Sequence, residues 1–224
     1  MNSPFWKKWL SYLTDISLEQ TSSQFNTFLE VLLVNGRHQL VTKDAIYSFD
    51  DKYENFNRIF KKINWTKQDV DEVLVLGLGL GSVILLLEKF YGKKFSYTAI
   101  EIDPEICVLA NKYTLSKLNS HIQIINTDAM IFLETSVQTF DLLIMDVFEN
   151  ATVPEIFQTK EYLQLIKSKL NAGGILLFNR MNITDQDKYE NTQFELLFKE
   201  IFPEFKALNI KDNIMLINNK KFLD

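Results

Sequence analysis

The stretch Val73-Leu74-Val75-Leu76-Gly77-Leu78-Gly79-Leu80-Gly81-Ser82 constrains this chain more than any other, because an apolar run breaks into three alternating glycines and then turns apolar again. Glu72 to Leu76, bounded by glycine, reads as a strand buried on both faces, the pattern of a parallel sheet. Gly77, Gly79 and Gly81 can take positive φ and let the backbone approach a ligand with no Cβ in the way. Val83 to Tyr91 reads as the next helix, its unpaired amides pointing back toward the loop. A ligand-free glycine turn is the plain alternative. The spacing G-x-G-x-G puts Ser82 where a dinucleotide fingerprint has its third glycine, which argues against a nicotinamide site.

A chain of 224 residues that is 46% hydrophobic can bury a sizeable core, as one domain with an appendage or as two unequal lobes. The expected division is a small N-terminal lobe over residues 1–52 and an α/β domain over 53–224. Net charge of -5 disfavours nucleic acid as a partner. The single cysteine, Cys107, excludes an intramolecular disulfide, and His38 and His121 lie far apart in sequence, so no metal is expected. Phe5 to Leu10 is too short and too charged for a signal peptide, and no run approaches the roughly 20 apolar residues of a span. Cytoplasmic residence is the expectation. Trp6, Trp9, Leu10 and Leu13 share a helical face beside Lys7 and Lys8, a pattern also seen in interfacial anchors. Such terminal helices usually cover a core or a subunit interface, so no membrane partner is expected.

Phe28 to Val34, the turn Asn35-Gly36 and Gln39 to Thr42 form a hairpin signal of type I′, with a third strand at Ala45 to Phe49. Phe56, Ile59, Phe60 and Ile63 have helical spacing. After the glycine loop, strands and helices alternate as βαβ units do. Tyr97 to Ile100 is a strand, with Asp103 as N-cap and Pro104 opening the next helix. Ile122 to Ile125, Asp141 to Met145 and Ile175 to Phe178 are further strands. The last of these follows a helix from about Thr159 to Leu170 and a turn at Asn171-Ala172-Gly173-Gly174. Thr192 and Glu195 suggest a capping box for one more helix, and two strands near Phe205 to Asn209 and Ile214 to Ile217 close the chain.

In open α/β sheets ligands bind beyond the carboxyl ends of the strands. Glu101, Asp128, and Asp146 with Glu149 fall at those ends. Each acid alone also reads as a helix cap or a solvated loop residue. Together with the loop they suggest a nucleoside site, in which Glu101 accepts from ribose hydroxyls, Asp128 accepts from an adenine amine and the Ala129 amide meets the ring edge.

From about Leu29 to Leu216 the chain resembles the spermidine synthase branch of the class I S-adenosylmethionine-dependent methyltransferase fold. The phrases that carry this are Leu33-Val34-Asn35-Gly36 with Gln39, Gly77 to Gly81, Ala99-Ile100-Glu101-Ile102-Asp103, Asn126-Thr127-Asp128-Ala129, Phe140 to Asp146 and Leu170 to Gly174. The resemblance implies a Rossmann-like, mostly parallel seven-stranded sheet flanked by helices, preceded by a small helix and a β-hairpin. It implies that Gly77, Gly79 and Gly81 cradle the amino-acid part of S-adenosyl-L-methionine or its decarboxylated form. Glu101 with Ile102 would bind the ribose side, Asp128 with Ala129 the adenine, and Asp146 would lie beside the sulfonium. Asp146 and Glu149 match the family's catalytic and amine-binding acids, and Gln39, Lys43, Asp44 and Tyr47 can be placed on its substrate-side pattern.

The chain departs from the family in three places. Leu80 stands where the loop of spermidine synthases has an aspartate, the stretch Asp146-Val147-Phe148-Glu149-Asn150 is bulkier than its counterpart, and Ser48-Phe49 replaces a His-Glu pair. Leu80 leads to the expectation of a methyltransferase using S-adenosyl-L-methionine on a small molecule. Two alternatives stand beside it: a polyamine aminopropyltransferase using decarboxylated S-adenosylmethionine, with an amine acceptor, and a non-catalytic binding or assembly protein. A homodimer is implied by the family resemblance.

Overall fold

The computed structural model describes residues 5–43, 45–149 and 152–224. Two sheets organise it. A short helix α1 (Phe5–Leu10) precedes an antiparallel sheet of β1 (Ile16–Thr21), β2 (Leu29–Val34), β3 (Arg37–Thr42) and β4 (Ile46–Phe49) in sequential order. Asn35 and Gly36 take φ of 50° and 76° between β2 and β3, the two left-handed residues that a type I′ turn requires. The hairpin is therefore part of a four-stranded sheet. Its first strand escapes a sequence reading because Ser17, Glu19 and Gln20 interrupt the apolar pattern, as suits an edge strand, and its register slips between Ser17 and Glu19.

Helix α2 (Glu54–Phe60) leads to β5 (Glu72–Leu76), α3 (Ser82–Leu85), β6 (Ser96–Glu101), α4 (Pro104–Tyr113), β7 (His121–Asn126), α5 (Ala129–Thr135), β8 (Phe140–Met145), α6 (Lys160–Ser168), β9 (Leu170–Met181), α7 (Asp185–Ile201), β10 (Lys206–Ile210) and β11 (Asn213–Ile217). The second sheet has the order β10-β11-β9-β8-β5-β6-β7. β5 through β9 are mutually parallel, whereas β11 and β10 run antiparallel to their neighbours. This is the Rossmann-like seven-stranded sheet that the sequence predicts.

β5 is central because its side chains alternate between two cores. Val73 and Val75 pack on one face with Phe56, Phe60 and Ile84, while Leu74 and Leu76 pack on the other with Leu133, Tyr162 and Phe178. Each such fully buried aliphatic side chain contributes about 1.5–3 kcal/mol, so the run that precedes the glycines is also the centre of the hydrophobic layers.

Three local readings differ from expectation. The helix after the loop is α-helical only to Leu85 and widens into a π-turn over Leu86–Phe90; buried Glu88 in that turn accepts from the amides of Asn119 and Ser120. Asn171 to Gly174 lies within β9 as an irregular bulge, since Phe140 pairs with Leu170 and Leu142 with Ile175. The last helix starts at Asp185 with a capping box between Thr184 and Asp187. Thr192 is mid-helix and donates to the Lys188 carbonyl, because the polar first turn hides this helix from hydrophobic periodicity.

Asp103 fastens the two sheets together. It is fully buried, with Oδ1 accepting from the Glu105 amide at the start of α4 and Oδ2 accepting from Ser23 Oγ at 2.5 Å and Asn26 Nδ2 at 2.7 Å. Ser23 and Asn26 lie between β1 and β2. Asp103→Ala removes a helix cap and two charge-assisted bonds at once, so it lowers unfolding free energy by about 3 kcal/mol in a denaturant titration.

Candidate functional site

The strand order reverses between β5 and β8, whose crossovers leave in opposite directions, and a cleft is expected beyond the carboxyl ends of those strands. Gly77 follows β5 and Asp146 follows β8. The Asp146 amide donates to the Leu76 carbonyl at 2.9 Å. Gly77 has φ of +85°, and a Cβ built there would lie 2.3 Å from the Asp146 carbonyl oxygen. No side chain fits, so this glycine is required by the approach of two backbones as well as by its φ. At Gly79 the neighbours come from the antiparallel sheet: a Cβ would meet the Tyr47 carbonyl oxygen at 3.0 Å and Ser48 Cβ at 3.3 Å. β4 thus closes over the loop, and Ser48 Oγ lies 2.6 Å from Ser82 Oγ. Gly81 completes the trio of positive φ values at +84°.

Glu101, at the end of β6, is buried under this loop. Its Oε2 accepts from the Leu78 amide at 3.0 Å and its Oε1 from the Asp103 amide at 3.1 Å. Burial, with the nearby charge of Asp103, raises its pKa, and the Asp103, Leu78 and Gly79 amides only partly offset that. Further donors, such as a pair of vicinal hydroxyls, would satisfy the remaining lone pairs of this desolvated carboxylate. Ile102 beside it is exposed. Asp128 takes the role of helix cap, with Oδ1 accepting from the Met130 and Ile131 amides at the start of α5, and Ala129 is buried as the first helical residue. The glycine loop, Glu101 and the start of α5 therefore follow successive strand ends, and the space a Cβ would fill at Gly77 and Gly79 is taken by the protein's own Asp146 carbonyl and by β4.

Asp146 is a second perturbed acid of the site. Tyr53 Oη donates to its Oδ2 at 2.7 Å and Asn179 Nδ2 to its Oδ1 at 2.8 Å. The carboxylate keeps some solvent access, yet the surrounding protein desolvates it and pushes its pKa up to about 7, against the lowering effect of both hydrogen bonds. The Tyr53 hydroxyl is held well above its ordinary value, first by burial and then by the charge of Asp146, so it stays a donor. Asn179 is buried, and its Oδ1 has no hydrogen-bond partner among the described residues, leaving an acceptor beside Asp146.

Tyr53 and Asn179 were not foreseen. Asn179 follows Phe178 near the end of β9, where the strand-end rule that found the acids would also have found it. Tyr53 comes from the link between the lobes, and no spacing rule brings it to Asp146. Glu149 is exposed; its backbone pairs with Thr152, and among the described residues no hydrogen bond or ion pair joins its carboxylate to the Asp146 cluster. Gln39 is buried on β3, and Tyr47 on β4 packs against the cluster that holds Leu80. Asp44 and Asn150 lie outside the described residues.

Leu80 is fully buried and packs with Leu29, Val31, Leu40, Ile106, Leu109 and Tyr113. Its side chain belongs to the seam between the antiparallel sheet and α4. The position where spermidine synthases carry an aspartate is thus filled by a core leucine.

The fold and the glycine loop define the class: a Rossmann-like domain of the type shared by adenosyl-dependent methyltransferases and aminopropyltransferases. Residues 59–210 match the spermine/spermidine synthase domain, and the chain belongs to that family. A polyamine aminopropyltransferase of Vibrio vulnificus (strain CMCP6) is 25% identical over 151 residues, which is 66% of this chain and 50% of the relative. An eEF1A lysine and N-terminal methyltransferase homolog of Drosophila melanogaster is 25% identical over 158 residues, 66% of this chain and 23% of the relative. A spermidine synthase crystallised with the transition state analogue AdoDATO shares the fold at a TM-score of 0.68 and 13% identity, covering 93% of this chain and 76% of that one. The chain spans about half the length, or less, of the first curated relatives it matches.

Tyr53→Phe removes a hydrogen bond that lowers the pKa of Asp146. In a carboxyl-carbon NMR titration of the ligand-free protein, the Asp146 midpoint moves above about 7. The linked stability effect has a defined sign. The folded pKa of Asp146 lies above its unfolded value, so ionisation costs stability as pH rises from about 4 through about 7. Asp146→Asn is then more stable than the parent above pH 7, by on the order of a few kcal/mol, and the difference closes near pH 4 in thermal unfolding.

Proposed function

We propose that this chain transfers an aminopropyl group from decarboxylated S-adenosylmethionine to an amine of the polyamine class. The observation that carries the reading is Asp146, an acid with pKa raised to about 7 at the switch point of the sheet, held on both oxygens by Tyr53 and Asn179. The family match and the aminopropyltransferase names among the relatives favour this reading over methyl transfer.

When bound, the donor supplies an electrophilic carbon next to a positively charged sulfur, which leaves as a neutral thioether. The acceptor amine is protonated at neutral pH and must lose a proton before its lone pair can attack. Asp146, ionised above about pH 7, accepts that proton in our reading, and Tyr53 fixes which carboxylate oxygen faces the acceptor. Asn179 Oδ1 accepts from a second N–H of the amine. Glu101, with Ile102 beside it, holds the ribose. Asp128 and the Ala129 amide read the adenine, and Gly77, Gly79 and Gly81 pass the donor's chain close to backbone. Gln39, Tyr47 and Glu149 are the acceptor-side residues that the family resemblance implies.

One observation favours a second reading, methyl transfer from S-adenosyl-L-methionine. With Leu80 buried as hydrocarbon, the loop offers no acid at that position for the donor's propylammonium. Titration calorimetry of the two donors side by side separates the readings. The decarboxylated form is expected to bind at least about tenfold more tightly, corresponding to ~1.4 kcal/mol, and the reverse preference overturns the aminopropyl reading. Asp146→Asn should lower kcat by about a hundredfold or more while donor affinity holds. Full turnover by that variant would remove the proton-accepting role.

A further inference from the structure

The apolar face of α1 points away from the protein. None of its residues is buried. Phe5, Trp6, Leu10 and Tyr12 are exposed, with Trp9 at 69% and Leu13 at 86%. Phe5, Trp6, Trp9, Leu10 and Leu13 line one shallow apolar groove, as positions 5, 6, 9, 10 and 13 must on a helical face. The helix does not cover the core of its own chain; it is fastened by its opposite edge. Buried Ser11 accepts the Asn35 amide on its carbonyl at 2.8 Å and the Gly36 amide on its Oγ at 2.9 Å. The turn between β2 and β3 is packed so closely there that a Cβ on Gly36 would meet Tyr12 Oη at 3.0 Å and Lys8 Cε at 3.1 Å. Backbone hydrogen bonds thus fix the aromatic face outward. Aromatic side chains present about 150–250 Å² each, so the patch is of the order of the largest that monomers expose, about 300–600 Å², or above it.

We propose that α1 docks this protein on an anionic lipid surface, lying in the plane of the interface. Charge selects this occupant over a second copy of the chain. Phe5 to Thr14 contains Lys7 and Lys8 and no acid. Two copies meeting about a two-fold axis would bring these lysines together with no carboxylate of the segment to pair them, whereas anionic headgroups supply that charge. The whole chain carries -5, so a negative surface repels the bulk of the molecule and favours an approach through this basic, aromatic edge. Tryptophan suits the depth between headgroup and acyl chain, and lysine stems reach back to the headgroups. Lys7 Nζ already sits 5.8 Å from the Trp6 ring centre. Among the described residues no helix is long and apolar enough to cross a membrane, which fits a surface-lying helix. The proposal is independent of the transfer chemistry.

Sedimentation of the full chain with phosphatidylcholine vesicles, with and without phosphatidylserine, tests this. Binding is expected only to the phosphatidylserine vesicles, with a blue shift of tryptophan emission. Lys7→Ala should weaken it about fivefold, at ~1 kcal/mol per lysine. Trp6→Ala with Trp9→Ala should abolish it. In that variant Trp65, whose indole donates to the Phe60 carbonyl at 2.8 Å, reports an intact fold by its unchanged emission. No binding to either vesicle, or equal binding to both, overturns the proposal. So does a lipid-free dimer, seen by light scattering, that the Trp6 and Trp9 substitutions dissolve, because a second copy would then occupy the face.

Discussion

Everything in the candidate site depends on the close approach of β5 and β8 at their carboxyl ends. The Asp146 amide bonds to Leu76, and Gly77 leaves room for the Asp146 carbonyl where any Cβ would collide. That one contact sets the geometry of the strand ends. It seats the start of the glycine loop against Asp146 and brings that carboxylate to the carboxyl ends of β5 and β8. A glycine here costs conformational entropy in the unfolded chain, and the two hydrophobic layers fed by Val73, Leu74, Val75 and Leu76 offset that cost.

Three buried or partly buried acids near the cleft have become chemically different groups. Asp103 is consumed as a fastener, with Ser23, Asn26 and the Glu105 amide on its oxygens. Glu101 supports the loop through Leu78 yet is raised in pKa by burial, so it favours added donors. Asp146 is raised to about 7, and faces Tyr53 and Asn179 rather than a cation. No basic side chain of the described residues pairs with it, and that lack of compensation keeps its proton near balance at neutral pH.

The parallel strands, the type I′ turn and the caps at Asp103 and Asp128 were legible because each rests on local chemistry: a run of apolar residues, a left-handed pair, a short acid before a helix. β1 and the start of α7 were not, since an edge strand and a polar first turn carry little hydrophobic period. Glu101 was found from its place after a strand, but its second partner, the Leu78 amide, lies far off in sequence. Tyr53 gave no signal at all, because its partner Asp146 is reached only when the link between lobes folds back over β8. Leu80 was legible as a departure from the family, but not its place in the core between the antiparallel sheet and α4, since sequence does not say which way a loop side chain turns.

The sequence by itself determined the class of fold and the line of strand ends along which a ligand can lie, because periodicity and glycine spacing are properties of neighbouring residues. Tertiary structure alone decided which acid would titrate near neutrality, that Leu80 is core, and that the tryptophans of α1 face outward. Desolvation, side-chain direction and exposure are fixed by residues distant in the chain, and they exist only once the two sheets have closed on each other.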